Sequence, residues 1–404
     1  MRCVILRDKL KLLIKIILRT ILKIYYIFPV KKNRVFFMST MGKQYSCNPK
    51  YIFENMTKKD YIKNKELEYI WAFNNPNDFK IIWIIKSPYI LKHVNAKLIC
   101  KKNIVVYFYY LLTSKVIIYN CGGFSYAPIR KTQFLVETWH GGGAFKKVGF
   151  AIKEKSNESK IGIKMASNDI KLFLSSCLVS SELLIRDAMN YKGEILNSGL
   201  PRNDKLFINS LEYKNEVKAK IGIDNDKKVV LYAPTFKGNE NNAVSLDEAW
   251  EQINPLEIKE ILKDRFNGEW IFTVRGHQYN DEIKMEGVDI DLSKYEDMQD
   301  LLLIADILIT DYSSSIWDYA ITKKPCFLFT PDLENYEQKE RGFLVPIKKW
   351  PGIIAKSNLD LKNKIHEFDF NMYNDKLDKF LMEMKSYEEG IASDIVIERI
   401  IKEL

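Results

Sequence analysis

Short apolar runs and longer segments with helical spacing alternate along most of this chain. In the first half, the apolar runs predict strands over residues 35–38, 68–72, 116–119, 133–138, 178–180 and 194–197. Segments with helical spacing lie between them, over residues 49–56, 87–94, 105–114 and 182–191. This alternation is typical of βαβ units, so we expect a parallel sheet with right-handed crossovers.

A second series of strands and helices begins near Lys228. Its predicted strands are residues 229–233, 270–274, 304–310 and 326–330, and its predicted helices are residues 246–263, 298–304 and 315–323. The break Gly199-Leu-Pro-Arg-Asn-Asp204 separates the two series. We therefore expect an N-terminal α/β domain over residues 31–204, a C-terminal α/β domain over residues 205–374 and a helical tail over residues 375–404.

The first thirty residues have a different pattern. Cations recur every four residues along one side of a helix, namely Arg7, Lys11, Lys15, Arg19 and Lys23. The other side is apolar and consists of Leu10, Leu13, Ile14, Ile17, Leu18, Ile21 and Leu22. The longest uncharged run, residues 24–30, is too short to span a bilayer, and no small-residue cleavage site follows it. Residues 1–30 therefore predict a helix in the membrane interface with its cations toward anionic lipid, and the alternative is an N-terminal helix packed on its own protein.

Composition narrows the classes of protein and of partner. A chain of 404 residues with 47% hydrophobic and 13% aromatic residues is typical of a folded protein with two substantial cores. The net charge of +10 favours an anionic partner such as a membrane surface, a nucleotide, a phosphorylated polymer or nucleic acid. No recognised nucleic-acid motif accompanies the charge. The six cysteines are scattered without a CxxC pair, which indicates reduced cysteines rather than a disulfide framework or a zinc site.

A serine triplet follows one of the predicted strands. The apolar run over residues 304–310 ends at Asp311, and Ser313, Ser314 and Ser315 then open a segment with helical spacing. The N–H groups at a helix start and the helix dipole favour an anion, and ligands of parallel sheets bind at the carboxyl ends of the strands. The triplet therefore predicts a phosphate cradle, and the alternative is a plain capped helix after a core strand.

Two histidines stand at the predicted ends of strands. His140 lies in Glu137-Thr-Trp-His-Gly-Gly-Gly143, and His277 lies in Phe272-Thr-Val-Arg-Gly-His-Gln278. A neutral imidazole can take a proton from a hydroxyl, and a protonated one can stabilise a phosphate. One such histidine from each domain predicts transfer of a phosphoryl-linked group to an alcohol. The alternative is a pair of ordinary turn histidines.

Three further segments carry candidate chemistry. Thr235, at the end of the strand over residues 229–233, can donate its hydroxyl and its N–H to a phosphate. Arg341, in a polar loop, can clamp a diphosphate with two parallel hydrogen bonds. Asp289-Ile-Asp291 resembles a metal-binding DxD, but it precedes a helix and we give it little weight. No P-loop, GxGxxG, HExxH or GxSxG motif is present.

Taken in order, these motifs resemble the CDP-glycerol glycerophosphotransferase family of bacterial teichoic-acid and capsule enzymes. The matching segments are Thr138-Trp-His-Gly141, Gly199-Leu-Pro-Arg-Asn-Asp204, Leu231-Tyr-Ala-Pro-Thr235, Arg275-Gly-His277, Thr310-Asp-Tyr-Ser-Ser314 with Asp318, and Arg341-Gly342. The resemblance implies a GT-B-like fold, with two Rossmann-type domains whose parallel sheets face a cleft. It also implies peripheral association with the cytoplasmic face of the bacterial membrane.

The resemblance assigns roles to individual residues. It implies that His140 is the base for the acceptor hydroxyl and that His277 and Arg275 steady the donor diphosphate. The residues that it places at the donor and its phosphates are Gly141, Arg202, Thr235, Arg275, Asp311, Ser313, Ser314, Asp318 and Arg341. Two departures bear on substrate identity: Gly-Gly-Gly follows His140 where many members have Gly-Thr-Pro, and Gln278 follows His277 where proline is usual.

The implied reaction is transfer of an alditol phosphate, glycerol phosphate first, from a CDP-alditol to a hydroxyl of a lipid-linked or polymer acceptor, with release of CMP. The implied partners are CDP-glycerol or a related CDP-alditol, a polyprenyl-diphosphate-linked saccharide or polymer, and an anionic membrane surface, without nucleic acid. The sequence requires no cofactor and contains no metal motif, and Mg²⁺ dependence stays open. The chain lacks the large N-terminal extension of some polymerising members, which favours a single or limited transfer. The alternatives are a GT-B glycosyltransferase that uses a nucleotide sugar and a non-catalytic membrane-surface binding protein.

Overall fold

The structure is a computed structural model and describes residues 2–58, 66–77, 95–153, 155–235, 238–239, 242–243, 253–276, 285–337 and 342–404. Contacts between residues divide the chain into two compact units. Unit 1 comprises Met1–His140, Lys147–Asp204 and Ser386–Leu404, and unit 2 comprises Gly141–Lys146 and Lys205–Lys385. The predicted helix over residues 87–94 lies outside the described residues.

Unit 1 is built on a seven-stranded sheet in which every pair of neighbours is parallel. Its strands are β1 Lys31–Met38, β2 Glu68–Phe73, β3 Ala96–Cys100, β4 Ser114–Tyr119, β5 Phe134–Glu137, β6 Ile170–Ser175 and β7 Glu194–Asn197. The strand order is β3-β2-β1-β4-β5-β6-β7, so the direction of winding reverses between β1 and β4. In doubly wound sheets ligands bind beside this reversal, at the carboxyl ends of the strands.

The helices of unit 1 pack on this sheet and on one another. They are α1 Arg2–Ile21, α2 Cys47–Lys58, α3 Ile104–Thr113, α4 Asn157–Asp169 and the π-helix Ser180–Ala188, with 3₁₀ turns at Leu22–Ile27, Thr40–Gly42 and Gly149–Ala151. A further 3₁₀ turn, Pro201–Phe207, contains the boundary between the units at Asp204 and Lys205. Aromatic rings fill much of the core under α2. The Trp71 indole stacks between Phe37, with ring centroids 5.2 Å apart, and Phe73, with centroids 5.6 Å apart.

Unit 2 repeats the same winding on a smaller scale. Its six-stranded parallel sheet contains β8 Lys228–Ala233, β11 Trp270–Val274, β12 Ile290–Asp291, β13 Ile307–Thr310, β14 Cys326–Phe329 and β15 Ile353–Ala355. The order is β12-β11-β8-β13-β14-β15, so the reversal lies between β8 and β13. A separate antiparallel pair is formed by β9 Gly238–Asn239 and β10 Asn242–Ala243.

The helices of unit 2 are α5 Leu211–Lys220, α6 Pro255–Phe266, α7 Met298–Ile304, α8 Ser315–Ala320, α9 Asn358–His366 and α10 Phe370–Met384, with shorter helical turns at Leu333–Asn335 and Ile347–Lys349. The chain then returns to unit 1, where α11 Ala392–Ile401 packs against α2. Residues 375–404, predicted as one tail, are therefore divided between the two units at Lys385 and Ser386.

The segment Gly199-Leu-Pro-Arg-Asn-Asp204 holds that returning end of the chain. The Asp204 carboxylate accepts hydrogen bonds from the backbone N–H groups of Ala392, at 2.8 Å, and Ser393, at 2.7 Å. Glu388 accepts hydrogen bonds from Leu200 N and from the Asn203 side chain. The carboxylate of Asp204 thus caps the start of α11, where free N–H groups and the positive end of the helix dipole favour an anion.

Some predicted elements differ from the observed ones for identifiable reasons. The strand predicted over residues 178–180 is wrong, because Ser180 N donates to Cys177 Sγ and Ser181 N donates to Cys177 O, which bends this stretch into the π-helix. The strand of this region is β6, which ends at Ser175 and was not predicted. The edge strands β3, β12 and β15 were not predicted either. The strand predicted to begin at Ile304 begins at Ile307, since Ile304 ends α7.

The N-terminal helix α1 lies against α4 within unit 1. Arg19 forms a salt bridge with Asp169 at 2.8 Å, and the Ser156 hydroxyl donates to Asp8 at 2.6 Å. Burial lowers the pKa of Lys15 on the same docked face. The expectation that all cations of this stripe face lipid is therefore corrected in part, because Lys15 and Arg19 face the body of unit 1. Among the helices that the structure describes, none is both long and apolar enough to cross a membrane.

Candidate active site

His140 lies at the carboxyl edge of the unit 1 sheet, just after β5. Its Nδ1 atom is 2.9 Å from the backbone oxygen of Asn120, which follows β4. A carbonyl oxygen can only accept, so Nδ1 carries the hydrogen and Nε2 is the basic nitrogen of the neutral ring. The ring packs against the Trp139 indole with centroids 4.6 Å apart and the ring planes tilted by 32°, while the residue as a whole is exposed. The chain thus presents a basic nitrogen on an oriented imidazole.

Glu137 is buried directly behind this histidine, at the last position of β5, and is 0% exposed. Its Oε2 atom accepts hydrogen bonds from Gly122 N and Gly123 N, both at 2.8 Å, and its Oε1 atom accepts from Trp139 N at 3.0 Å. Burial raises the pKa of the Glu137 carboxyl to about 8, against the opposing effect of these three N–H groups. Sequence reasoning missed Glu137. An acidic residue ending an otherwise apolar strand was the available clue.

The backbone around His140 is strained and held from several sides. Trp139 has φ +53°, in the left-handed region, which costs a bulky residue about 1–3 kcal/mol. The Asn48 side chain, at the start of α2, donates to the backbone oxygens of Thr138 and Trp139, each at 3.0 Å. Such strain persists only where the surroundings fix the conformation, and it is found most often at functional sites.

Arg202 also holds the loop that carries His140. Its Nη1 atom donates to the backbone oxygen of His140 at 2.8 Å, and its backbone N–H donates to Asn48 Oδ1 at 3.2 Å. The side chain is 5% exposed. The structure therefore places Arg202 in unit 1 beside His140, where the resemblance had placed it among the donor-binding residues.

The Gly-rich segment after His140 belongs to unit 2. Any side chain at Gly142 would overlap the indole ring of Trp317 on α8, and Gly143 has φ +65°. Phe145 packs against Trp350 with ring centroids 4.5 Å apart. Because Trp317 fills the space that a larger residue at position 142 would need, the Gly-Gly-Gly sequence has a steric cause.

At the carboxyl edge of the unit 2 sheet, Thr235 follows β8 and Asp311 follows its neighbour β13. The Thr235 N–H donates to Asp311 Oδ1 at 2.8 Å, and the Thr235 hydroxyl lies 2.8 Å from Oδ1 and 2.7 Å from Oδ2. Both donors predicted to bind phosphate are thus directed at Asp311. The pair lies at the reversal of this sheet, which is the expected place for a ligand.

The serine triplet lies beside this pair, at the start of α8. The Ser313 hydroxyl oxygen accepts from Ser315 N at 3.2 Å and lies 2.9 Å from the Ser315 hydroxyl. Ser313 and Ser314 are half-buried, and Asp318 is 3% exposed and accepts from Gln299 Nε2 at 3.0 Å. The structure therefore brings Thr235, Asp311 and the serines to one edge of unit 2.

Arg275 follows β11 at the same edge. Its backbone N–H donates to Tyr232 O at 2.9 Å, and its buried Nη1 atom has no hydrogen-bond partner among the described residues. Burial lowers the pKa of the Arg275 guanidinium to about 10, against the charges of Asp297 and Asp300. A buried donor without an acceptor is costly, so this nitrogen favours an anionic ligand. His277 and Arg341 lie outside the described residues.

Asp289-Ile-Asp291 was given little weight as a metal site, and the contacts of its two carboxylates agree with this. Asp291 ends the edge strand β12 rather than preceding a helix. Asp289 accepts from Phe272 N at 2.7 Å and from Lys259 at 2.9 Å. Asp291 accepts from Ser293 N at 2.8 Å. Within the part of the chain that the structure describes, no group of three His, Cys, Asp or Glu residues could hold a metal ion.

Comparison with known proteins decides the family. The profile of CDP-glycerol:poly(glycerophosphate) glycerophosphotransferases matches residues 20–402. The chain belongs to this family. The predicted resemblance and the predicted transferase class are confirmed, as is the α/β fold with two parallel sheets. The roles of individual residues stay predictions.

Relatives of this family member match it over nearly its whole length. It is 29% identical to a teichoic acid glycerol-phosphate transferase of Staphylococcus aureus, over 98% of this chain and 100% of that protein. It is 29% identical to a teichoic acid poly(glycerol phosphate) polymerase of Bacillus spizizenii, over 94% of this chain and 95% of that protein. The solved structure of the wall teichoic acid polymerase TagF matches with a TM-score of 0.76 at 28% identity, covering 98% of this chain and 97% of that one.

Proposed function

We propose that this glycerophosphotransferase uses His140 as the base that activates the acceptor hydroxyl. The observation that carries this role is the 2.9 Å hydrogen bond from His140 Nδ1 to Asn120 O, which leaves Nε2 as the basic nitrogen. The residue is exposed and follows β5, the neighbour of β4 at the reversal of the unit 1 sheet, near where ligands of such sheets bind. Family membership supports the reaction, which is transfer of glycerol phosphate from CDP-glycerol during teichoic-acid synthesis.

The chemical step follows from these parts. The acceptor hydroxyl gives its proton to His140 Nε2 while its oxygen attacks the β-phosphorus of CDP-glycerol. One P–O bond forms to the acceptor, the bridging P–O bond to CMP breaks, and CMP leaves with its charge increased. His140 then returns the proton to solvent, to which it is exposed. A positioned base of this kind accelerates a reaction about 10²–10⁴-fold.

We assign the donor to unit 2. Arg275 has a buried nitrogen that lacks an acceptor among the described residues, and Ser313 and Ser314 lie at the same sheet edge. Fixed donors of this kind stabilise charge that develops on phosphate and on the leaving group. Gly141, Asp318, His277 and Arg341 complete the proposed donor set. A variant of TagF has been soaked with CDPG, which supports the choice of donor.

The two sheets have the same winding, which supports a GT-B-like fold. In unit 1 the order runs outward from β1 to β3 and from β4 to β7, and unit 2 repeats it with β8 and β13 at the centre. Pairs of such doubly wound domains are the architecture that the resemblance implies.

We also propose that α1 lies in the cytoplasmic face of a membrane and brings the enzyme to a lipid-linked acceptor. The face of α1 opposite its docked side is apolar and exposed, consisting of Leu10, Leu13, Ile14, Ile17 and Ile21, each 47–61% exposed. Ile24, Ile27 and Phe28 extend this apolar surface, and so do Ile104 and Val105 at the start of α3. Arg7, Lys9, Lys11 and Lys23 flank it and are exposed. An apolar stripe with cations along its edges is typical of an interfacial helix.

Mass spectrometry of the released nucleotide tests the reaction. Purified protein is incubated with a lipid-linked saccharide acceptor and either CDP-glycerol, CDP-ribitol or a nucleotide sugar. We expect CMP from CDP-glycerol and an acceptor that gains glycerol phosphate. Release of a nucleoside diphosphate from the nucleotide sugar, with no CMP, would instead favour the glycosyltransferase alternative. No turnover of any donor by folded protein would favour the non-catalytic alternative.

A further inference from the structure

The carboxyl group of Glu137 joins the two loops that determine the position of His140. Its Oε2 atom accepts from Gly122 N and Gly123 N, on the loop that follows β4. Its Oε1 atom accepts from Trp139 N, on the loop that follows β5. The first loop carries Asn120, whose oxygen receives the His140 Nδ1 hydrogen, and the second carries His140 itself. One carboxyl group therefore sets the distance between the imidazole and its acceptor.

This carboxyl group is costly for the fold, which indicates a purpose beyond packing. Glu137 is 0% exposed, and its hydrogen bonds come from backbone N–H groups, with no salt bridge to it among the described residues. Burial raises the pKa of Glu137 to about 8, which means that the ionised form is destabilised. Buried acids with raised pKa values cluster at functional sites.

We propose that Glu137 is the positioning residue of His140. Its two oxygens hold the Asn120–Gly123 loop and Trp139 together, so that the Nδ1 hydrogen bond is kept and Nε2 is directed at the acceptor hydroxyl. Glu137 itself touches neither substrate nor the reacting atoms. The inference rests on the proposed role of His140 as base.

Replacing Glu137 by glutamine changes the hydrogen bonds of this side chain while nearly keeping its volume. Glutamine has nearly the same size as glutamate, but it offers one acceptor oxygen and one NH₂ group. Whichever way the amide turns, the NH₂ group faces N–H donors, either those of Gly122 and Gly123 or that of Trp139. Glu137→Gln therefore loosens one loop against the other while leaving the core filled.

Asp204→Asn is the matched control variant. Asp204 is also a carboxylate of unit 1 that accepts two backbone N–H groups, but these belong to Ala392 and Ser393 at the start of α11. The Asp204→Asn variant therefore loses the same kind of hydrogen bond, but not in the loops around His140. Any difference between the two variants at His140 then reports positioning rather than a general loss of stability.

The experiment measures kcat, the Kd for CDP-glycerol, and the rate at which diethyl pyrocarbonate modifies His140 from about pH 5 to 9. For Glu137→Gln we expect kcat to fall at least tenfold, because small misplacements of a base cost one to two orders of magnitude, while the Kd stays unchanged. The midpoint of the His140 modification profile should shift to lower pH, since the lost Nδ1 hydrogen bond stabilises the protonated ring. Asp204→Asn should leave that midpoint in place.

Two results separate failure of this inference from failure of the proposed function. Unchanged kcat and an unchanged modification profile in Glu137→Gln, with His140→Ala inactive, would overturn the role of Glu137 alone. Full activity of His140→Ala would overturn the base and with it this inference. If Glu137→Gln does not fold, Glu137→Asp carries the same test, because its carboxyl is one methylene too short to bond both loops.

Discussion

The carboxyl edges of the two sheets have the same strand order but differ in how their polar groups are used. In unit 1, the groups around His140 bond to one another: Asn120, Glu137 and Arg202 all fix the loop that carries the ring. In unit 2, the buried Arg275 Nη1 has no acceptor among the described residues. The first edge is organised by the chain itself, whereas the second, although Thr235 bonds to Asp311, keeps a buried donor for which we propose a ligand. This difference is what a base and an anionic donor respectively require.

The largest expected effect is on the reaction rate, through His140 at the carboxyl edge of the unit 1 sheet. His140→Ala should lower the rate of CMP release by about 10³-fold, because the hydroxyl loses its base. The affinity for CDP-glycerol should stay unchanged, since the donor is assigned to unit 2. Stopped reactions analysed by mass spectrometry give the rate, and calorimetry gives the Kd. His366→Ala, at the exposed end of α9, is the control, and a wild-type rate in His140→Ala would erase the distinction between the two edges.

The next largest effect is on the affinity for the donor, through Arg275 at the carboxyl edge of the unit 2 sheet. Arg275→Met should weaken CDP-glycerol binding by about 10²-fold, because a charge-assisted hydrogen bond to phosphate contributes roughly 1.5–3 kcal/mol. The urea midpoint should not fall, since the change removes a buried guanidinium whose Nη1 atom lacks an acceptor among the described residues. Arg265→Met is the control, as Arg265 donates to Phe368 O in the same unit. Normal binding by Arg275→Met would mean that this edge is not the donor site.

The pH dependence of stability sharpens the comparison at Glu137. Its pKa in the folded protein is about 8, above the value of 4.5 for an unperturbed glutamate, so the folded state holds this proton more tightly than the unfolded state does. The free energy of unfolding should therefore fall by about 1.4 kcal/mol per pH unit between these two values. The neighbouring Tyr119 and Cys121 stay protonated across this window, because burial raises the pKa of both, that of Cys121 to about 12.

Urea unfolding at several pH values, with wild type and Glu137→Gln side by side, measures this slope. The glutamine variant should lack the contribution, so the difference in unfolding free energy between the variant and wild type should grow in the variant's favour as the pH rises. Parallel slopes for the two proteins would show that Glu137 does not titrate in this window.

The smallest expected effect is at the membrane. Ile17 on the outward face of α1 is 47% exposed, so Ile17→Ser removes only part of the apolar area of one side chain from lipid. We expect about fivefold weaker binding to anionic liposomes, from roughly 1 kcal/mol of lost burial. Leu359→Ser is the control, on an exposed leucine of unit 2. Equal loss in both variants would argue against a specific membrane face.

The candidate site residues could be predicted from the sequence, but the residues that hold them in place could not. His140 and the serines after β13 could be found because an apolar run followed by Gly, Ser or His predicts the end of a parallel strand. Asn120 and Glu137 could not be linked to His140, since their contacts depend on β4 and β5 being neighbours in the sheet. The hydroxyl of Thr235 was predicted to bind phosphate, whereas its bond to Asp311 follows from the pairing of β8 with β13.

The return of the chain at Asp204 also bears on how this protein is made. Val396, Ile397 and Ile400 of α11 belong to the core of unit 1, yet they are synthesised after all of unit 2. Unit 2, residues Lys205–Lys385 with the short segment Gly141–Lys146, is fully synthesised before them. Domains commonly fold in the order of their synthesis, but here the first unit must wait for the second. Until α11 has been synthesised, the apolar surface of α2 that it covers is exposed, and a nascent chain in that state is a natural substrate for chaperones.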